Sequence, residues 1–318
     1  MRSLSLSQDA FRVVAAYGAA VLLIVIGSFV HPGFASFESI SSILLVASFV
    51  GLVAAGQCFV ILVGGIDLSV PWVLNAAAIL LVTSSLGENA RAPYAVALTL
   101  GMGMAAGLAN GVGVVFFGVP AVVMTLAMNG IIQGLALGLS GGMTCAACAS
   151  YAPPIIGAAV HDVWLGLPVA LWVWLLVVLV VSFVLSLTRF GRATYAIGNN
   201  PRAAYLAGIN VGLTTVFLYA LSGIFSALAG ILLVGFGGQA SLGMGTPYLF
   251  QSIAAVVIGG VSILGGRGSY LGAAAGAVSL TALVSVLLAL NMPEYGRSII
   301  YGIVILVLLL LYGREQKE

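Results

Sequence analysis

Thr188 to Gly212 reads TRFGRATYAIGNNPRAAYLAGINVG and lies between two apolar stretches, each long enough to cross a bilayer. It carries three of the chain's ten Lys+Arg: Arg189, Arg192 and Arg202. Within it, Asn200 can cap a helix that Pro201 begins and Gly208 ends. A side-chain acceptor suits the N-cap, a ring-fixed φ suits the first helical position, and glycine suits the left-handed position after the C-cap. The two-turn helix predicted over Pro201 to Ala207 spans only ~10 Å. It is too short to cross a membrane and would present Arg202, Tyr205 and Leu206 to something outside it. The segment reads as a cytoplasmic docking loop.

The rest of the chain is apolar. With 62% hydrophobic and 6% charged residues and a mean hydropathy of +1.23, a soluble globule is excluded and an all-α integral membrane protein is indicated. At ~20 apolar residues per transmembrane helix, about ten spans are predicted: 13–30, 43–63, 70–86, 94–117, 121–140, 168–187, 213–235, 249–264, 270–290 and 298–312. The stretches Gly64 to Pro71 and Gly118 to Pro120 could instead break a helix or make it re-entrant.

With a cytoplasmic amino terminus and ten spans, the inner segments hold Arg2, Arg12, Arg189, Arg192, Arg202, Arg267, Arg314 and Lys317, and the outer ones only Arg91 and Arg297. That is the positive-inside pattern, and it puts both termini in the cytoplasm. The first span has basic flanks, but no small-residue cleavage site follows before His31-Pro32, so it reads as a retained helix. Topology explains the basic residues, and a net charge of +2 gives no reason to expect a nucleic-acid partner.

No water-soluble domain is visible, so residues 1–318 read as one transmembrane domain whose cytoplasmic loop is 188–212. A run ending at Gly64-Gly65 follows the first span, and a run ending at Gly237-Gly238 follows the loop. With ten spans these runs point in opposite directions, the arrangement of an inverted repeat. Small residues recur every fourth position at Gly103, Gly107 and Gly111, and again at Gly272 and Gly276. Such stripes let helix backbones approach closely in lipid.

The acidic residue of most interest is Asp67, in Gly64-Gly65-Ile66-Asp67-Leu68-Ser69-Val70-Pro71. A carboxylate at mid-helix in a bilayer costs ~2.5–3.5 kcal/mol. The glycine pair can end the preceding helix, and Asp67 or Ser69 can then cap the next, with Pro71 near its start. Gly64, Gly65, Asp67, Ser69 and Arg267 are therefore candidates for an inner boundary or gate. The amides Gln57, Asn75, Asn110, Asn129, Gln133 and Gln251 within spans, with Gln239 just outside one, are candidates for lining a route for hydroxyl-rich solutes, since each offers donors and an acceptor. They can equally bond between helices. The lack of several intramembrane carboxylates, lysines or histidines argues against ion coupling and hence against a secondary carrier.

Three enzymatic or cofactor readings fail on residues. Gly138-Leu139-Ser140-Gly141-Gly142 matches a serine-nucleophile pattern, but the only histidines are His31 and His161, neither inside a later span. Cys145 and Cys148 form a C-x-x-C in the predicted outer loop, where a disulfide is permitted, without further ligands for a metal; Cys58 reads as a small apolar residue. A P-loop needs a lysine against the phosphates, and the only lysine is Lys317. No cofactor is implied, and any ATP must be handled by another subunit.

Four stretches resemble the ribose-type permeases, membrane subunits of bacterial ABC sugar importers. They are Ile61 to Pro71 (ILVGGIDLSVP), Asn110 to Leu126 with a later Gln133-Gly134, Ala196 to Val211 (AIGNNPRAAYLAGINV) and Ile258 to Gly272 (IGGVSILGGRGSYLG). They fall in the family's order over most of the chain. The resemblance implies a type II importer-like permease bundle in the inner membrane, paired with a second permease, two ABC ATPase subunits inside and a soluble solute-binding protein outside. Carried onto this sequence, the ATPase-coupling residues are Arg192, Asn200, Pro201, Arg202, Ala203, Ala204, Tyr205, Leu206 and Gly208. Pro71, where the family commonly has glycine, and the C-x-x-C depart from the pattern. A permease of the same fold for amino acids or nucleosides is the alternative.

Overall fold

A computed structural model of the chain describes residues 8–140 and 151–315. Among them, one helix overlaps each of the ten predicted spans: α1 (Gln8–Val30), α2 (Phe37–Leu62), α3 (Val70–Ser85), α4 (Ala92–Phe116), α5 (Ala121–Leu139), α7 (Val169–Leu187), α10 (Val211–Gly237), α11 (Thr246–Ile258), α12 (Tyr270–Ala289) and α13 (Glu294–Glu315). Three short helices lie between spans: α6 (Pro154–His161), α8 (Arg189–Asn199) and α9 (Pro201–Leu206). The only sheet among the described residues is a two-stranded hairpin, β1 (Val163–Trp164) and β2 (Leu167–Pro168), turned at Leu165 and Gly166, both at positive φ.

The helix ends follow local chemistry. Ser36 accepts from the Ser39 N–H at the start of α2, Asn210 from that of Leu213 before α10, and Ser269 from that of Gly272 before α12. Gly64 and Gly238, both left-handed, turn the chain after α2 and α10. The turn at Gly118 to Pro120 is a plain connection between α4 and α5, while the one at Gly64 to Pro71 leads back into the protein.

At ~1.5 Å per residue, α3 and α11 are ~24 and ~20 Å long, short of the ~30 Å hydrocarbon core. Each starts inside the bundle. The carbonyl of Pro71, in the first turn of α3, lies against Gly245, which immediately precedes α11. The predicted span 249–264 is thereby corrected: its helix ends at Ile258, and Gly259 to Ser269 form a turn-rich segment.

A twofold pattern runs through the packing. Helix α2 contacts α10, α11 and α12, and α10 contacts α2, α3 and α4; α3 lies on α4 and α5, and α11 on α12 and α13. The glycine stripes make this possible. Backbone of Val216, Tyr219 and Gly223 on α10 sits against Gly111, Gly107 and Gly103 of α4, and Gly272 and Gly276 of α12 receive the backbone of α11. The core is α2, every residue of which is buried from Ala47 to Leu62. By contrast, α7 turns Leu176, Leu179 and Phe183 outward, as expected of a helix beside lipid.

Candidate functional site

One end of the bundle carries α8 and α9, and the opposite end carries the hairpin. Arg189, Arg192, Arg202 and Arg267 lie at the α8–α9 end and Arg91 and Arg297 at the other, with Arg12 against Gly260 of the loop that holds Arg267.

The segment 188–212 is more ordered than a docking loop. Thr188 caps α8 by accepting from the Gly191 N–H at 3.1 Å, and α8 buries Gly191, Thr194 and Ile197, three residues apart, against the bundle. The sequence reading missed this helix because its apolar stripe is narrow and interrupted by glycine. Arg192 reaches back to the Leu187 carbonyl at 3.3 Å. Asn200 then caps α9, accepting from the N–H groups of Arg202 (3.1 Å) and Ala203 (3.0 Å). Pro201 opens the helix, which ends at Leu206, one residue earlier than predicted, with Gly208 left-handed beyond it. Only Ala204 is buried, whereas Tyr205 is 70% and Leu206 78% exposed, beside Arg202.

Behind α9, three segments cross at glycines. The Gly266 N–H donates to the Leu62 carbonyl at 2.9 Å, Asn199 Nδ2 to the Gly266 carbonyl at 3.1 Å, and the Tyr195 hydroxyl to the Gly268 carbonyl at 2.8 Å. A Cβ at Gly198 would run into the Leu62 carbonyl and the Gly266 nitrogen. At Gly265 a Cβ would lie 2.9 Å from the Gly64 nitrogen and 3.0 Å from the Leu62 oxygen. Thus the end of α2, the end of α8 and the loop before α12 form one backbone junction, of which the sequence reading named only Gly64 and Arg267. The Arg267 side chain is exposed.

From this junction the chain climbs into the bundle through Gly65, where the Tyr219 hydroxyl leaves no room for a side chain. Asp67 is 1% exposed. Its Oδ1 accepts from the Ser69 N–H (2.9 Å) and hydroxyl (2.6 Å), and its Oδ2 from the Ser222 hydroxyl (2.7 Å); Asn110 Nδ2 donates to Ser69 Oγ at 2.9 Å. Ser222 lies near the middle of α10, so Asp67, which the sequence made a candidate for an inner boundary or a gate, stands level with mid-α10 and not at the boundary. Nor is Ser69 a side-chain cap of α3. Around this buried carboxyl group the Ser69 N–H and the Ser69 and Ser222 hydroxyls take the place of water. Its partner on α10, Ser222, gave no signal in the sequence, being an ordinary residue of an apolar run.

The seven amides divide. Gln57, Asn75 and Asn110 are at most 1% exposed, inside the helix bundle. Asn129 and Gln133 are half-buried on α5. Gln239 and Gln251 line open volume, both at the hairpin end: Gln239 a recess of about 450 Å³ with Phe236 and Tyr248, and Gln251 a cleft of about 430 Å³ between α11 and α13. The sequence could not make this division, because an amide's helix face depends on its neighbours.

Ser140 donates to the Leu137 carbonyl, and His161 lies on the Phe236 carbonyl and ring, so the two do not pair. Cys145 and Cys148 lie outside the described residues, and Cys58 is buried in α2. Among the described residues, no cluster of three or more His, Cys, Asp or Glu could hold a metal ion.

Comparisons with known proteins agree with this architecture. The chain is 33% identical over 303 residues to the autoinducer 2 import system permease protein LsrC of Escherichia coli (strain K12 / DH10B), covering 95% of this chain and 87% of that protein. It is 34% identical over 292 residues to the ribose import permease protein RbsC of Haemophilus influenzae, covering 92% and 90%. The match to RbsC of Escherichia coli (strain K12) is 34% over 298 residues, covering 94% and 92%. No solved structure matches the chain. Residues 39–309, from α2 into α13, match a family described as branched-chain amino acid transport system / permease component, and the chain belongs to that family of membrane permeases.

Proposed function

We propose that this chain is the transmembrane permease subunit of an ATP-binding-cassette importer that moves a sugar or sugar-like solute into the cytoplasm. It resides in the bacterial inner membrane with both termini cytoplasmic, the α8–α9 end inward and the hairpin end outward. The relatives named for ribose and autoinducer 2 support a sugar-like solute over the amino acids in the family's description, because their likeness runs through nearly the whole of both partners. The basic residues gathered at the α8–α9 end support the orientation.

The observation that carries the mechanism is the mounting of α9. An exposed Tyr205-Leu206 pair stands on a segment whose root is hydrogen-bonded to the loop before α12 and packed on the end of α2. Each partner in that junction is one short connection from a half-helix that starts inside the bundle, α3 or α11. ATP-driven closure of two ATPase subunits pressing on α9 would therefore move both half-helices together, switching access from one side to the other. ATP hydrolysis belongs to those subunits; a second permease and a soluble solute-binding protein complete the importer.

Solute uptake and co-purification test this. The wild-type chain, extracted gently from its host, is expected to bring down an ATPase in stoichiometric amount, and Arg202→Glu combined with Ala203→Asp to abolish uptake while the chain stays in the membrane. Uptake that persists after ATP depletion, or normal uptake by the double variant, defeats the proposal.

A further inference from the structure

The cleft of about 430 Å³ at the hairpin end falls within the ~300–1,000 Å³ of small-molecule sites. Tyr248, Gln251, Glu294, Arg297, Ser298 and Tyr301 contribute to its lining from α11 and α13. Polar groups in spans are costly against lipid and ordinarily face protein or a water-filled path. Here two helices converge them on one space. Gln251 Nε2 donates to Tyr301 Oη at 3.3 Å, which leaves the amide oxygen as an acceptor and the phenol proton as a donor. Both tyrosine rings are held in the wall, 8% and 6% exposed.

Arg297 is the second observation. An arginine near a span end ordinarily extends its head to water, yet this side chain is only 21% exposed and its Nε is buried without a partner. Glu294, 3.7 Å away on the rim and 74% exposed, balances the charge. The start of α11 is turned inward as well: the Thr246 N–H donates to the Gly243 carbonyl and that of Tyr248 to the Gly245 carbonyl. The donors facing the cleft are therefore side chains around a neutral pair, which suits hydroxyl groups better than an anion.

We propose that this cleft binds a neutral, hydroxyl-rich solute of monosaccharide size, with Gln251, Tyr301 and Arg297 as its hydrogen-bonding contacts and the tyrosine rings against its apolar faces. The assignment rests on the importer reading. It is tested in cells expressing the complete transporter, by uptake of radiolabelled D-ribose, D-xylose, D-glucose and myo-inositol, with L-leucine as the amino-acid comparison. For whichever of the four polyols the wild type takes up, Gln251→Ala and Arg297→Lys are each expected to raise KM about tenfold or more, the scale of one lost hydrogen bond to a solute. Immunoblots of the membrane fraction check that each variant is inserted.

A second measurement does not depend on those variants folding. Ser298 is exposed; as Ser298→Cys, in a background with Cys145→Ala and Cys148→Ala, it is expected to react with a membrane-impermeant thiol reagent from outside and to lose uptake on labelling. Unchanged KM in inserted variants, or a labelled Ser298→Cys protein that transports normally, overturns the cleft while leaving the importer reading intact. Wild-type uptake of L-leucine alone, or of none of the five, overturns the sugar reading and the cleft's solute class with it.

Discussion

At the α8–α9 end, three chain segments meet backbone to backbone, whereas at the hairpin end the chain leaves open volume lined by side chains. Gly64, Gly198, Gly265 and Gly266 serve the first purpose: a Cβ at Gly198, Gly265 or Gly266 would press on a neighbouring segment's backbone. At the second, Gly237 has nothing within 4 Å of where a Cβ would stand, and Gln239 and Gln251 face recesses. The difference teaches where each kind of work can be done. A junction without slack passes a displacement on instead of absorbing it, while a site that must admit and release a solute needs side chains around space. Asp67 and its hydroxyl donors stand between the two, tying the first half-helix to α10.

The sharpest way to break this contrast is Gly198→Val. Its side chain must displace the Leu62 carbonyl or the Gly266 turn, a misfit costing about 1–3 kcal/mol or more. Uptake is expected to fall to background, with the thermal midpoint of the detergent-extracted protein lowered. Normal transport by this variant shows that the junction has slack. Next comes Asp67→Leu, which leaves the buried Ser222 and Ser69 donors without an acceptor at about 1–3 kcal/mol each. Thermal melts should place it well below Asp67→Asn, which keeps one acceptor oxygen; equal melts would mean that the carboxylate's bonds contribute little.

A smaller effect is expected of Asn200→Ala, which removes the two bonds capping α9 and costs about 1 kcal/mol locally. Uptake should drop in part and recover in Asn200→Asp, which can cap equally well; failure of the aspartate to restore it points to a direct contact of the amide instead. The mildest is Gly237→Ala, at an open helical position, expected to stabilise by ~0.4–1 kcal/mol through the unfolded chain. A clear destabilisation there would show the hairpin end to be as tightly packed as the other.

The sequence by itself determined the membrane class, the ten apolar segments, the polar segment with the capped helix after Asn200, and the family, because these depend on local quantities: hydropathy summed over a span, capping chemistry at a helix end, and motifs read in order. The glycine stripes at Gly103 to Gly111 and Gly272 to Gly276 were legible for the same reason, a fixed four-residue spacing on one helix face. Only the tertiary structure decided that Asp67 sits level with the middle of α10 and not at a boundary, that Gly198 and Gly265 belong to one junction, and that Gln251 borders open space while Gln57 is enclosed. Each of these turns on contacts between residues far apart in the chain, such as Asp67 with Ser222 or Leu62 with Gly266. Rotating a helix about its own axis leaves its composition unchanged but exchanges the residues it buries for those it exposes, so that choice belongs to the packed bundle.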